Sequence, residues 1–79
     1  MSLREQIANR EHEQWSDWMK YLFSKCSYTD QGHAVIDSGL VSRWKRQMET
    51  PYSELPEIEK ESDRLEADKI LSILETKDG

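Results

Sequence analysis

Apolar side chains recur at spacings of three, four and seven residues in three separate segments of this chain. This spacing matches the turn of an α-helix, so the pattern predicts helices over about residues 3–26, 39–49 and 53–76, with Ser53 starting either the third helix or the turn that leads into it. The segment between the first two helices is short and only partly β-branched, and an isolated hairpin is marginal in water. We therefore expect a mostly α, three-helix domain in which a loop, or at most a short two-stranded β-ribbon, joins helices 1 and 2.

Two breaks in the apolar pattern set the predicted ends of the helices. Thr29-Asp30-Gln31-Gly32 has the composition of a turn, with a glycine that can take a positive φ. Asp37 or Ser38 is suited to cap the start of the second helix. Thr50-Pro51 ends that helix, because the residue before a proline avoids the helical conformation.

A chain of 79 residues is long enough for one domain over residues 1–79, with a thin margin of stability. Positions 9–14 contain no apolar residue, so the opening turns of the first helix are expected to be exposed or frayed. We expect the packed core over about residues 12–75, with frayed C-terminal residues beyond it. Self-association would widen the margin of stability, and a homo-oligomer is therefore expected.

Six side chains on the apolar stripes are expected to be largely buried. They are Trp15, Trp18, Leu22, Trp44, Ile70 and Leu74. The single cysteine, Cys26, excludes an intramolecular disulfide and is expected to be a small, reduced, buried side chain rather than a nucleophile. The sequence starts without a signal peptide and has no apolar run of membrane-spanning length, so we expect a cytoplasmic protein with no membrane partner.

The net charge of −5 is unevenly distributed along the chain. Residues 1–48 carry seven basic and six acidic side chains, a net of +1, whereas residues 49–79 carry four basic and ten acidic side chains, a net of −6. This balance argues against binding to a nucleic-acid duplex, which needs a broad basic face. The only concentrated positive charge is Arg43, Lys45 and Arg46 around Trp44, which could bind one or two phosphates.

Charged residues occupy unexpected positions on the third helix. Its apolar stripe is Ala67, Ile70, Leu71 and Leu74. Counting back from Ala67 by four and then by three residues reaches Asp63 and Lys60 on the same face of the helix. Arg64, the residue after Asp63, lies beside that face. Charges on such a face need partners, so these residues form either a structural polar network or the lining of a pocket.

No catalytic or metal-binding pattern is present in the sequence. His12 and His33 lack metal-ligand spacing and are expected at the surface or an interface. There is no nucleophile with an adjacent base, no glycine-rich phosphate loop and no distinctive carboxylate pair. We therefore expect a protein that is not an enzyme and that uses no cofactor and no metal.

The segment from Arg46 to Arg64 resembles the signature of the ryanodine-receptor repeat (RyR) family. That signature has a Pro-Tyr, a leucine, a Glu-Lys and an Asp-Arg, which correspond to Pro51-Tyr52, Leu55, Glu59-Lys60 and Asp63-Arg64. The His-x-x-Trp with which the family opens corresponds to His12 and Trp15. The resemblance covers about residues 12–75, although the family's central Gly-Trp-x-Tyr-Gly segment has no counterpart in this sequence.

The resemblance implies a small helical domain that binds a ligand or another protein. Similar prokaryotic domains are thought to bind nucleotide-like ligands in conflicts with phages, and the chain also resembles short bacteriophage and prophage proteins. It therefore implies a non-catalytic binder of a small nucleotide-like ligand, which would sequester a defence signal in the host cell cytoplasm. The alternative is a protein–protein adaptor that docks through its acidic third helix. The residues expected to bind the ligand are Arg43, Trp44, Arg46, Tyr52, Lys60 and Arg64.

Overall fold

The computed structural model describes the backbone of residues 2–77 and the side chains of residues 2–75. Within that range it confirms the predicted fold class, a mostly α chain with three helices and one short antiparallel ribbon. The elements are α1 (Leu3–Ser24), β1 (Ser27–Tyr28), β2 (Ala34–Val35), α2 (Ser38–Glu49), a 3₁₀ turn (Tyr52–Glu54) and α3 (Glu57–Lys77).

Local hydrogen bonds explain where α2 begins and ends. The Asp37 carboxylate accepts a hydrogen bond of 2.9 Å from the Gly39 N–H, so Asp37 is the N-cap of the two residues predicted for that position. At the other end, the Thr50 hydroxyl donates to the Arg46 carbonyl at 2.6 Å, and Pro51 follows. Residues 52–54 form a separate 3₁₀ turn that leads into the third helix, which is the second of the two alternatives predicted for Ser53.

The β-ribbon closes through the predicted turn. Ser27 lies opposite Val35 and Tyr28 opposite Ala34. The Thr29 hydroxyl accepts a hydrogen bond from the His33 N–H at 3.0 Å, and Gly32 takes a φ of +86°, which a side chain would disfavour. The ribbon is therefore specified by turn chemistry rather than by buried strand residues, since both strands are exposed.

The chain forms two compact units. The first unit combines Met1–Asp17 with Pro56–Gly79, and the second unit is Trp18–Leu55. In the first unit, the inward face of α1 carries the half-buried Leu3, Ile7 and Arg10. The helix is regular from Leu3, and its opening turns present exposed side chains such as Arg4 and Glu5 beside the half-buried ones.

Burial is much lower than the sequence pattern predicts. Among the described side chains only Leu55 and Glu59 are buried, each 8% exposed. Leu22, Trp44 and Ile70 are half-buried, as is Cys26, whose thiol donates to the Leu22 carbonyl at 3.3 Å.

Three residues of the expected core are exposed, and their predicted burial is wrong. Trp15 is 59% exposed, Trp18 44% and Leu74 39%. The inward face of each helix is rotated by about one residue from the face that the apolar pattern predicts. Trp15 and Leu74 lie one position after the half-buried Gln14 and Ile73, and Trp18 lies one position before the half-buried Met19. A step of one residue turns a side chain by more than a quarter of the helix circumference.

Candidate ligand-binding surface

Three aromatic rings of the second unit pack against one another. Trp18 and Tyr21 are stacked, with ring centroids 5.4 Å apart and an interplanar angle of 21°. Trp44 meets Trp18 edge-on at 5.3 Å and Tyr21 at 6.4 Å. We call these three residues the aromatic cluster. Both geometries are among the favourable arrangements of aromatic pairs.

Two helices supply this cluster. Trp18 and Tyr21 lie three residues apart on α1 and therefore share one face of that helix. Trp44 comes from the half-buried stripe of α2, together with Leu40 and Gln47. Trp44 is the half-buried member, whereas Trp18 is 44% exposed and Tyr21 40% exposed. The cluster therefore combines one anchored ring with two accessible ones.

One cation contacts the aromatic cluster, and two others flank Trp44 in the sequence. The Lys25 ammonium lies 5.5 Å from the centroid of the Tyr21 ring, within the range of a cation–π contact. Arg43 and Lys45 are exposed and are the sequence neighbours of Trp44. Adjacent residues of a helix point to opposite sides of the one between them, so a cation lies on each side of Trp44.

The other two predicted residues of the second unit lie farther along the chain. Arg46 is exposed in the last turn of α2, three residues after Arg43 and so on the same face of the helix. Tyr52 is 49% exposed and belongs to the 3₁₀ turn, where its carbonyl accepts the Leu55 N–H at 3.1 Å.

Lys60 and Arg64 belong to the first unit and lie in the first turns of α3. Both are bound to Glu57: Arg64 Nη1 lies 3.0 Å from Glu57 Oε2, and Lys60 Nζ lies 3.6 Å from Glu57 Oε1. Arg64 also contacts Glu61 at 3.3 Å. The hydrogen bond from Arg64, then its charge and that of Lys60, lower the pKa of the Glu57 carboxyl below its ordinary value. Asp63, beside them in sequence, is exposed.

The six predicted residues are therefore divided between the two units. Four of them belong to the second unit and two to the first. Among the predicted residues, only Trp44 is part of the aromatic cluster. The sequence pattern missed Trp18 and Tyr21 as accessible rings, because Trp18 was assigned to the core. The signal that could have identified them is their spacing of three residues, one turn before the cation Lys25.

A second polar feature, in the first unit, was also missed. Arg10 has a side chain that is only 12% exposed, and its guanidinium pairs with Glu13 and Glu66, each at 3.1 Å. Lys69 pairs with Glu66 at 3.1 Å. An open groove of about 290 Å³ lies beside these pairs, lined by Gln6, Asn9, Arg10, Glu13, Lys69 and Ile73. Leu3, Ile7 and Arg10 are spaced by four and three residues and so share one face of α1. A charged residue on an otherwise apolar face is a signal that the sequence alone contains.

The described residues contain no group of three or more histidine, cysteine or acidic side chains that could hold a metal ion. His12 and His33 are both exposed, and the His12 ring stacks on Trp15 at 6.0 Å. No helix in the part of the chain that the structure describes is long and apolar enough to cross a bilayer.

Comparison with known proteins returned no match. No protein-family model, no curated protein and no solved structure matches this chain. The resemblance to the RyR family therefore stays a prediction from the sequence.

Proposed function

We propose that this chain is a non-catalytic binding protein whose aromatic cluster takes a small, planar, anionic ligand of the nucleotide class. One observation carries the proposal: Trp18 and Tyr21 form a stacked, accessible pair that is braced by Trp44 and bordered by the Lys25 ammonium. Stacking on aromatic rings is the interaction that proteins commonly use for bases, and it requires no particular base sequence.

The energetics of the exposed rings support a binding role. An accessible aromatic face is left in water at a free-energy cost, so contiguous exposed rings are typical of binding surfaces. A base stacked on such a ring contributes about 1–3 kcal/mol. The remaining affinity would come from charge-assisted hydrogen bonds between phosphate oxygens and the guanidinium of Arg43. Lys25 and Lys45 would add point charges near the same rings.

The proposed roles differ from those expected of the sequence alone. Arg43 and Arg46 keep the phosphate role, and Trp44 braces the stacking pair. Lys60 and Arg64 neutralise Glu57 and Glu61 at the start of α3, so we assign them to the first unit's own polar network. Tyr52 has no role in this proposal.

The resemblance to the RyR family and to short phage proteins supports a narrower form of the proposal. In that form, this domain would act as a cytoplasmic sequestering protein for a host defence signal nucleotide. Such a protein needs tight, non-catalytic binding and no turnover, which agrees with a site built from stacking and charge.

Calorimetric titration of the chain tests the proposal. The panel contains AMP, ADP, cyclic AMP and a cyclic dinucleotide, with ribose 5-phosphate as the ligand that has the phosphate but no base. We expect at least one nucleotide to bind in the micromolar range or tighter, and ribose 5-phosphate to bind at least tenfold more weakly. Silence across the panel would contradict the proposal.

Matched variants locate the site. Trp18→Leu should abolish binding, whereas Phe23→Leu, which removes another exposed aromatic ring from the same unit, should leave it unchanged. Arg43→Gln should weaken binding, whereas Arg4→Gln, an exposed cation of the first unit, should not. Equal losses for the site variants and their controls would argue against the aromatic cluster.

The second candidate is a protein–protein adaptor that docks through α3. It is favoured by Ile58 and Leu65, which are 80% and 54% exposed and lie seven residues apart on one face of an acidic helix. A basic host protein would be its partner. Nucleotide silence, together with a co-purifying protein lost in an Ile58→Asp and Leu65→Asp double variant, would favour this candidate.

A further inference from the structure

Lys25 covers one face of Tyr21, a ring of the aromatic cluster. Its ammonium lies 5.5 Å from the ring centroid, and Trp18 stacks on the same ring at 5.4 Å. Trp18 precedes Tyr21 by three residues and Lys25 follows it by four, so the two approach the ring from opposite directions along the helix axis. Tyr21 is therefore held between an indole on one side and a cation on the other.

The two neighbours of Tyr21 are not held equally firmly. Trp18 also packs edge-on against Trp44 at 5.3 Å. The Lys25 side chain is exposed, and its ammonium forms no ion pair with a carboxylate of the described residues. The Lys25 backbone is fixed, because its N–H donates to the Leu22 carbonyl at 3.0 Å. The ammonium, on its flexible aliphatic stem, is therefore the part of this arrangement that can move.

The helical segments that carry the three rings are cationic. Residues 18–25 contain Lys20 and Lys25 and no acidic residue. Helix α2 contains three cations, and its one acidic residue is Glu49 at its last position. The second unit as a whole has five basic and four acidic side chains, a net of +1, in a chain whose net charge is −5. The surroundings of the aromatic cluster therefore favour an anionic ligand over a cationic one.

We propose that Lys25 gives the aromatic cluster a preference for phosphorylated nucleotides over nucleosides, an inference that rests on the proposed function. In the free protein the ammonium covers Tyr21. In the complex the base of the ligand takes its place on that ring, and the ammonium moves to the phosphate. The phosphate is one ribose away from the base, a distance comparable to the length of a lysine side chain, so the ammonium reaches it from the edge of the ring.

The relative strengths of the contacts favour this exchange. A cation–π contact at an exposed site changes an equilibrium constant by a factor of about 2–5, whereas a stacked base contributes a factor of about 5–150. A base therefore displaces the ammonium from Tyr21. A nucleoside leaves the displaced ammonium in water, but a nucleotide offers it a phosphate and a charge-assisted hydrogen bond. The Lys25 charge thus separates the two ligands.

Calorimetric titration with AMP and adenosine tests the proposal, because these ligands differ only in the phosphate. Lys25→Met keeps a flexible side chain and removes the charge. We expect it to weaken AMP binding about tenfold and to leave adenosine binding unchanged or up to about fivefold tighter. Lys25→Arg should keep the native preference for AMP. Lys20→Met, which removes another exposed cation of the same unit, should change both affinities by less than about twofold.

The binding of adenosine separates a failure of this proposal from a failure of the proposed function. If Lys25→Met weakens AMP and adenosine equally, Lys25 has a structural role and the proposal is overturned. A Lys25→Met chain with the native preference for AMP also overturns it, and the aromatic cluster then remains the binding site. A native chain that binds neither AMP nor adenosine overturns it too, and silence across the whole nucleotide panel overturns the proposed function as well.

Nuclear magnetic resonance tests the movement of Lys25 directly. The ring current of Tyr21 should shift the Hε protons of Lys25 upfield in the free protein, and saturating AMP should return them toward their ordinary position. The Hε protons of Lys20 are the control and should stay in place. An upfield shift of Lys25 that persists in the saturated complex would overturn the proposal.

Discussion

Arg10 and Glu66, which are 56 residues apart in the sequence, form an ion pair of 3.1 Å between α1 and α3 of the first unit. The Arg10 side chain is 12% exposed and Glu66 is 27% exposed, so the pair is partly screened from water. The Arg10 Nε is buried and has no hydrogen-bond partner within the described residues. The fold should therefore be sensitive to the loss of Glu66, because Arg10 would then keep its charge in a poorly hydrated place with one carboxylate fewer.

Replacing Glu66 by glutamine should destabilise the protein by about 1–3 kcal/mol, because a half-buried guanidinium loses one of its two carboxylates. Urea denaturation at fixed protein concentration measures the change. Lys69→Gln is the control, since Lys69 is 48% exposed and its ion pair among the described residues is with Glu66 of its own helix, and we expect a loss under about 0.5 kcal/mol. Equal losses of stability for the two variants would show that the Arg10–Glu66 pair contributes no more than an exposed ion pair.

The Glu57 carboxyl should titrate below its ordinary pKa, because Arg64 and Lys60 hold it charged. A carboxyl with a lowered pKa in the folded state stabilises the fold at neutral pH, and that contribution is lost as the pH falls through the lowered pKa. Titration followed by carbon-detected NMR checks this. Arg64→Gln should raise the pKa of Glu57 more than Lys60→Gln does, since Arg64 makes the larger contribution. The opposite order would contradict the geometry.

Asp37→Ala should cost about 1 kcal/mol, because it removes the side-chain acceptor that caps α2. Thermal unfolding followed by circular dichroism measures the loss. Asp37→Ser keeps an acceptor and should restore most of the stability. Asp30→Ala, which removes an exposed carboxylate from the β-turn, serves as the charge-matched control and should change little. A full loss with Asp37→Ser would show that the charge rather than the cap matters.

Trp44→Ala should cost about 2–3 kcal/mol, which is less than the cost for a fully buried tryptophan, since Trp44 is half-buried. Its edge contacts with Trp18 and Tyr21 supply part of that loss. Chemical denaturation gives the value, and Trp44→Phe should recover part of it. Met48→Ala, at a position 76% exposed on the same helix, should stay within about 0.5 kcal/mol of the native chain. A Trp44→Ala chain as stable as Met48→Ala would show that Trp44 does not anchor the aromatic cluster.

The helix ends could be predicted well from the sequence, because capping is local. Asp37 and Thr50-Pro51 act on backbone groups within a few residues of themselves, so no knowledge of tertiary packing is needed. Gly32 specifies the turn of the ribbon in the same way. These features fix the length and order of the elements before any helix meets another.

Burial could not be predicted as well, because it depends on how each helix is rotated. Trp15 and Gln14 are adjacent in sequence, yet the polar residue faces inward and the tryptophan faces out. A hydrophobic pattern weights the larger apolar side chain and so selects the wrong face. The same uncertainty in helix rotation explains why the candidate site is only partly predicted. The apolar stripe of α2 identifies Trp44, whereas the stripe of α1 places Trp18 in the core although its ring is exposed.

The two units also differ in when they can form during synthesis. Residues 18–55 of the second unit are contiguous, so their contacts can form as soon as they leave the ribosome. The contacts of the first unit form later, because α1 begins before residues 18–55 are synthesised and α3 is synthesised after them. Closing that separation carries an entropic cost that the second unit does not bear. The inward face of α1 therefore remains without its partner helix during that interval.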